Sequence, residues 1–531
     1  MQAPASVQQW AHGAMLFDGL GSFHRSITTA SSEAQQYFDQ GMRLLWGFNH
    51  DESTRSFAHA ALLDPHCAMC YWGVALTVGP NYNLPLMAQS RAKVAWEAQR
   101  SATDNASRAT PLERALIDAL SKRYPSAEAL DPSNSAPVLT AYAQGMAAVA
   151  KRFPDDLDVQ TLYAESLMNI NAWKLWTADH QPAPGTLEIT RTLEAVLRRD
   201  PNHPGANHYY VHAMEASGHP QKALVSAQRL AGMMPAAGHM DHMPAHIMQL
   251  LGRYEDAAEA NRKGVAADVA YFAKTTPPDY YAMYTAHNYQ FLAYSAAMEG
   301  RRTETLQAVR SLRDTIPDSM LLAMPGFDWQ IAEKYAALVR FGLWDQLLIE
   351  PAPDPRLQAL TAGYLYGKGI AQATVGQVAA ARATLAQLQQ LTDTVPAEAT
   401  AGFNSARDVF RVAALIVQAR IADAEDRADD AIALLRRAAD SEDALAYDEP
   451  RDWFFPARHL LGAQLLKVGQ PVAAEAVYRT DLERNPNNGW SLYGLQLALT
   501  AQHKNAQAAA VEREFKRAWQ HADVQPSASA Y

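Results

Sequence analysis

Seven histidines, His203, His208, His212, His219, His239, His242 and His246, crowd one short stretch of a chain that has seventeen in all. Imidazole is the commonest transition-metal ligand and a proton carrier near neutral pH, so the spacing of these residues decides what they can do. His208 and His212 are four residues apart, as are His242 and His246. A helix turns about 100° per residue, which puts the members of each pair within about 40° on one face. Glu215, seven residues after His208, falls on the same stripe. Placing Ser217-Gly218 on Leu251-Gly252 overlays His208 on His242 and His212 on His246. Placing Gly252 on Gly300 overlays His239 on His287. Neighbouring helices pack about 8–10 Å apart, so imidazoles from adjacent helices can meet at one ion with bonds near 2.0–2.1 Å.

These registers make His208, His212, His239, His242, His246 and His287 the candidate ligands of a transition metal ion, with copper, iron and zinc all compatible. Overlaying Pro154 on Pro201 sets Glu165 at the His212 position of the preceding unit. Glu165 and Glu215 are therefore the candidate catalytic carboxylates, able to act as general base toward bound water. A lone helical histidine is usually a surface or hydrogen-bonded core residue; two pairs in register plus His287 are harder to dismiss. His203 and His219 read as helix caps or solvent-facing residues. Pro244 must start or kink a helix, which loosens the expected relation of His239 to His246. Met240, Met243 and Met248 invite a copper reading, although methionine at helical spacing is more often core filler.

The elements that must carry these residues are helices. Ile247-Met-Gln-Leu-Leu-Gly-Arg-Tyr-Glu-Asp-Ala-Ala258 fits the tetratricopeptide pattern, a helix, a Leu-Gly turn and an acidic-Ala helix start. Variants turn at Gly300, Gly342, Gly376 and Gly469, with a weaker copy around Asp426. Gly342 to Gly376 and Gly469 to His503 are each 34 positions apart. The expected fold is all-α, a tetratricopeptide-like superhelix or α-solenoid that could curl around a central pocket, each helix pair burying its apolar stripe on its neighbours. Along the chain this gives an irregular segment 1–30, repeats over 31–200, a His-rich centre over 201–300, further repeats over 301–521 and a frayed tail over 522–531.

Composition narrows the function. Of 531 residues 48% are hydrophobic and 19% charged, with a net charge of −10, which speaks against a disordered chain and against a nucleic-acid surface. No apolar run reaches a membrane span. The phosphate-loop, dinucleotide, nucleophile-elbow and HExxH motifs are absent. Cys67 and Cys70 form a CAMC phrase followed by Tyr71 rather than the histidine of a haem-attachment site. Two free residues buried at the start of a helix near Ala68 are favoured over a redox pair or a small disulfide. The start, MQAPASVQQW, has no basic and apolar leader, so no signal peptide is read in the chain as given.

Four phrases carry a resemblance: His203-Pro-Gly-Ala-Asn-His-Tyr-Tyr-Val-His-Ala-Met-Glu215, Gly238-His-Met-Asp-His-Met-Pro-Ala-His-Ile247, Cys67-Ala-Met-Cys-Tyr-Trp-Gly73, and Asp452-Trp-Phe-Phe-Pro-Ala-Arg-His-Leu-Leu-Gly462 with Asp481-Leu-Glu-Arg-Asn-Pro-Asn-Asn-Gly489. Together they resemble a bacterial family of long tetratricopeptide-like proteins. The resemblance implies a helical-repeat fold and an exported, periplasmic or secreted protein; it implies no reaction.

Around the histidines, Trp46, Asn49, His50, Trp72, Asn81 and Tyr82 form one polar-aromatic set. Trp173, Trp176, Tyr209, Tyr284, Trp329 and Trp453 could line a pocket for a small organic substrate. Asp452 and Arg458 flank Trp453 as a candidate substrate clamp. Two functions are open. One is a metalloenzyme, leaning to copper or iron oxidoreductase over zinc hydrolase, acting on a small molecule. The other is a scaffold for a peptide or protein partner, which solvent-facing histidines in an open groove would favour.

Overall fold

The computed structural model describes residues 3–276 and 281–530. It is a succession of helix pairs, each helix packed chiefly on its neighbours in sequence, the tetratricopeptide-like solenoid architecture expected from the repeats. The chain divides into two compact units. One comprises 1–247 with 262–285, the other 248–261 with 286–531.

In the first unit the pairs are Ser32–Trp46 with His50–Leu63, Ala68–Val78 with Gln89–Asn105, Pro111–Ser121 with Ser135–Arg152, Leu157–Met168 with Thr186–Arg199, and Pro204–Met214 with Leu224–Leu230. In the second they include Gln358–Thr374 with Val378–Thr394, Ala406–Ala424 with Ala428–Asp443, Ala457–Lys467 with Pro471–Arg484, and Gly489–Ala501 with Asn505–Ala518. The only ladder among the described residues is a hairpin pairing Thr400–Ala401 with Asn404–Ser405. No described helix is long and apolar enough to cross a membrane.

The repeat turns share one backbone device. Gly218, Gly252, Gly300, Gly342, Gly376 and Gly469 all have positive φ, between 64° and 80°. Asp426 and His503 adopt the same conformation without being glycine, at φ 59° each. A left-handed residue just past the last helical turn closes the helix and reverses the chain. This is why the weaker, glycine-free copies were still recognisable by position.

Two expectations are corrected. Cys67 and Cys70 are joined by a disulfide. The helix does begin at Ala68, with Cys67 as its N-cap, and both residues are buried against Ala34, Tyr37, Ala60 and Ala61, so the packing expectation holds while the free-thiol expectation does not. Residues 522–530 carry no helix, but they are docked rather than frayed. Asp523 accepts from the Arg302 and Thr303 amides, and Ser529 is buried with hydrogen bonds to Tyr478 and the His459 carbonyl.

Candidate metal centre

The site is built in the first unit, on three short stretches of helix. His203 is the N-cap of the Pro204–Met214 helix, where its Nδ1 accepts from the Ala206 amide, and its Nε2 pairs with Asp158 at 3.0 Å. Pro204 occupies the first helical position, which needs no amide donor. Gly205 then faces Trp46; a Cβ there would meet the indole at 2.3 Å, so glycine is what lets this helix lie against the end of Ser32–Trp46. The HPG phrase thus starts and seats the helix that carries His208 and His212. His219, the other residue expected at a helix end, is exposed ahead of the 3₁₀ turn Pro220–Ala223.

The second stretch is Gly238–His242, and the third is Pro244–Leu250. Pro244 starts a new helix, as its chemistry requires, yet Met243 stays in the right-handed helical region. The break is therefore slight, and the Nε2 atoms of His242 and His246 stand 2.7 Å apart across it. Gly238 lets the first of these helices approach Tyr254–Phe272. A Cβ there would meet Asp268 Oδ1 at 2.0 Å and the Gly264 carbonyl at 2.6 Å.

All five imidazoles are buried. His208, His212 and His239 each bring one ligand atom to a common place, and these atoms lie within 4.8 Å of one another. His208 Nε2 is 3.1 Å from His239 Nε2. Ligand nitrogens on a tetrahedral ion with bonds of 2.0–2.1 Å are about 3.3 Å apart, so this closest pair already has the spacing an ion requires. His208 Nδ1 lies 2.5 Å from the Trp46 carbonyl. A carbonyl only accepts, so Nδ1 holds the ring proton and Nε2 presents its lone pair inward. His212 Nδ1 lies 3.1 Å from Glu215 Oε1, and its Nε2 has no hydrogen-bond partner among the described residues.

Burial disfavours the charged form of two of these rings. It pushes His212 down to about 3, and it lowers His208 well below its ordinary value, with His212 adding to the effect. With the His208 proton on Nδ1, its Nε2 lone pair faces His239 Nε2 at 3.1 Å, a place where a metal cation could be held by both rings.

Glu215 lies against both His pairs. Its Oε1 faces His212 Nδ1, and its Oε2 faces His246 Nδ1 at 3.0 Å. One carboxylate thus touches a ring from each of the two His pairs, the position from which carboxylates orient histidine ligands in metal sites. Glu165 is buried on Leu157–Met168, with one oxygen accepting from Asn169 at 2.6 Å.

A residue not singled out from sequence walls the trio. Phe48 lies 4.4 Å from the His208 ring and 5.6 Å, stacked, from both His212 and His239. Its φ of +53° is a left-handed conformation rare for a bulky side chain. Tyr209 stands 5.5 Å from His208, and Tyr284 stands 4.8 Å from His239. Tyr82 reaches His212 at 5.3 Å and stacks on Trp173, itself 6.0 Å from His212. Tyr209 and Trp173 thus stand among the rings around the trio.

His287, also a candidate ligand, lies on the Ala282–Met298 helix, edge-on to Phe291 at 4.9 Å. Other candidates belong to the second unit. Trp453 is buried there against Tyr366 and Trp329. The clamp of Asp452 and Arg458 does not form. Asp452 accepts from the Phe403 and Asn404 amides and the Asn404 side chain, while Arg458 makes two hydrogen bonds to Asp443. His459 joins the fourth sequence phrase to its continuation: its Nε2 pairs with Asp481 at 3.0 Å, and its Nδ1 faces Arg340. Met240 packs on Gly47 and Met243 is fully buried, the core role usual for methionine.

No family model and no curated protein matches the chain. Among solved structures, the human IFIT1 dimer with m7Gppp-AAAA aligns at a TM-score of 0.35 and 13% identity, over 85% of this chain and 90% of that one. The APC/C hetero-tetramer Cut9-Hcn1 aligns at 0.34 and 12%, over 91% and 76%. Yeast Tom70 aligns at 0.31 and 10%, over 92% and 93%.

Proposed function

We propose that the chain is a metal-dependent enzyme whose first unit holds a transition metal ion on His208, His212 and His239. The observation that carries this reading is the convergence of three buried imidazoles, the closest two 3.1 Å apart with the His208 proton held away by the Trp46 carbonyl. Solvent-facing histidines would favour a peptide-binding scaffold; these are buried among aromatic rings, the setting of a small-molecule site.

Three neutral donors leave the full charge of a divalent ion uncompensated. Such an ion supplies Lewis acidity toward a substrate oxygen or bound water, and with copper or iron it also supplies redox chemistry. An all-histidine donor set within an aromatic surround favours an oxidoreductase using copper or iron over a zinc hydrolase. In this reading Glu215 positions the His212 and His246 rings, and Phe48 keeps the trio from spreading. Metal analysis of protein purified without chelators tests the proposal: about one equivalent of ion that disappears in His208→Ala/His239→Ala supports it. Redox turnover with the copper or iron form, absent with the zinc form, separates the two reaction classes.

A further inference from the structure

Beside the trio lies a second group of buried polar atoms that no role above explains. Arg123, just after the Pro111–Ser121 helix, is 1% exposed and lies over the Tyr124 and Tyr142 rings with Glu165 acting on its charge, yet its Nε, Nη1 and Nη2 make no hydrogen bond of good geometry among the described residues. The same holds for the Tyr142 and Tyr209 hydroxyls, for Glu165 Oε2, for Asn169 Oδ1 and for both ring nitrogens of His50. Native interiors leave few such groups, and a buried cation without partners is the most costly of them.

These residues are neighbours. The Arg123 guanidinium lies 5.2 Å from the Tyr142 ring centre. Its charge is felt by Glu165, Tyr142 and His50; His50 also feels His208, and Tyr209 feels Glu165 and Tyr142. Tyr209 in turn stands 5.5 Å from the His208 ring. Arg123, Tyr142, Glu165, His50 and Tyr209 therefore form one group beside the proposed ligands, within the first unit. Asn169 draws one Glu165 oxygen to itself, and Glu165 makes no hydrogen bond to Arg123.

We infer that Arg123 is the substrate-anchoring residue, and that it binds the carboxylate of a small organic acid whose other end lies toward His208, His212 and His239. A guanidinium presents a planar fork of N–H donors that matches the two oxygens of a carboxylate. One guanidinium matches one carboxylate. A phosphate dianion would bring a second charge and a third oxygen, with no second cation among these residues to meet them. The Tyr142 and Tyr209 hydroxyls supply further donors in this group. The aromatic rings of Tyr209, Tyr82 and Trp173 suit an apolar body between the two ends. This inference deepens the metal reading by naming the substrate class of the same site.

The test uses the full chain, metal-loaded and metal-free, titrated calorimetrically with benzoate and with its uncharged counterpart benzamide. Benzoate is expected to bind at least tenfold more tightly than benzamide. Arg123→Met should bring the two within about twofold while leaving metal content unchanged, and Arg123→Lys, which keeps the charge but not the fork, should fall between. Equal affinity for the two probes in the unaltered protein overturns the inference, a result that does not depend on any variant folding. Benzoate preference retained in metal-loaded Arg123→Met overturns it too, since the carboxylate would then be held by the ion. An Arg123-dependent preference in protein that takes up no metal would uphold the anchor and sink the metal reading, so the two fail separately.

Discussion

His208 Nε2 and His239 Nε2 face each other at 3.1 Å, and the other nitrogen of His208 is tied to the Trp46 carbonyl at 2.5 Å. The proton that could have made His208 a simple donor is thereby fixed on the far side of the ring. What remains is a pair of inward nitrogens, and His212 brings a third ligand atom, the three lying within 4.8 Å of one another.

Glu215 connects this set to the His242–His246 pair, and its removal should be felt as loosened ligands rather than lost ones. Glu215→Gln is expected to weaken metal affinity by about 10–100-fold, the usual effect of changing a group that orients metal-bound histidine. Stoichiometry at saturating metal should stay unchanged. Competition with a chromophoric chelator measures this; a variant that binds metal as tightly as the parent would remove the orienting role.

The glycines that seat the ligand helices have no room for a methyl group. Gly205→Ala would press on the Trp46 indole, and Gly238→Ala on Asp268 and the Gly264 carbonyl. Each should destabilise by about 1–3 kcal/mol, the cost of overpacking a filled interior, and each should lower metal affinity by moving its ligand helix. Denaturant melts and metal titration of the two variants check this. Unchanged stability in both would mean that the helices are not held this closely.

Buried neutral histidine makes folding sensitive to acid in a direction that can be worked out. Burial, helped by Arg91, Arg123 and His208, pushes His50 from an ordinary value of 6.5 down to about 3. Between those values the unfolded chain binds the proton and the folded chain does not. The stabilising contribution is therefore complete above about pH 6.5 and shrinks about tenfold in the folding constant per pH unit below it. Glu299 and Glu442, raised to about 7 by burial, act in the opposite sense over the same range. The difference between parent and His50→Gln isolates the histidine. The variant should lose less stability than the parent from pH 6.5 to 5, and parallel profiles would contradict the buried neutral state.

The second unit has a buried polar knot that serves as a control. Asp481 accepts from Asn485, Asn488 and Ser491 and pairs with His459, which holds its carboxyl down at about 2. Asp481→Ala should cost about 3–5 kcal/mol by leaving these groups buried without their acceptor. The protein that remains folded should keep its full metal content. Loss of metal in folded Asp481→Ala would mean that the ligand set has been drawn wrongly.

Much of this was readable in the chain. The four-residue spacings placed His208 with His212 and His242 with His246, and periodicity alone put Glu215 on their stripe. The repeat turns were legible because a left-handed residue is required there whatever its type, as Asp426 and His503 show. The partition of ligands was less so: repeat alignment grouped His239 with His287, whereas folding sets His239 against His208. Phe48, the Trp46 carbonyl and Arg123 were not legible at all. A carbonyl has no sequence signature, a strained phenylalanine looks like any core residue, and an arginine after a helix end ordinarily reads as surface charge. Each gains its meaning only from helices distant in sequence.

The account stands most directly on metal content. Protein purified without chelators, or refilled with copper, iron or zinc and desalted, should carry about one equivalent of ion on the trio. His208→Ala/His239→Ala should carry less than a tenth of that while retaining its helical circular-dichroism spectrum. Protein that takes up no ion in any form, or a folded double variant that keeps its full equivalent, would contradict the central claim.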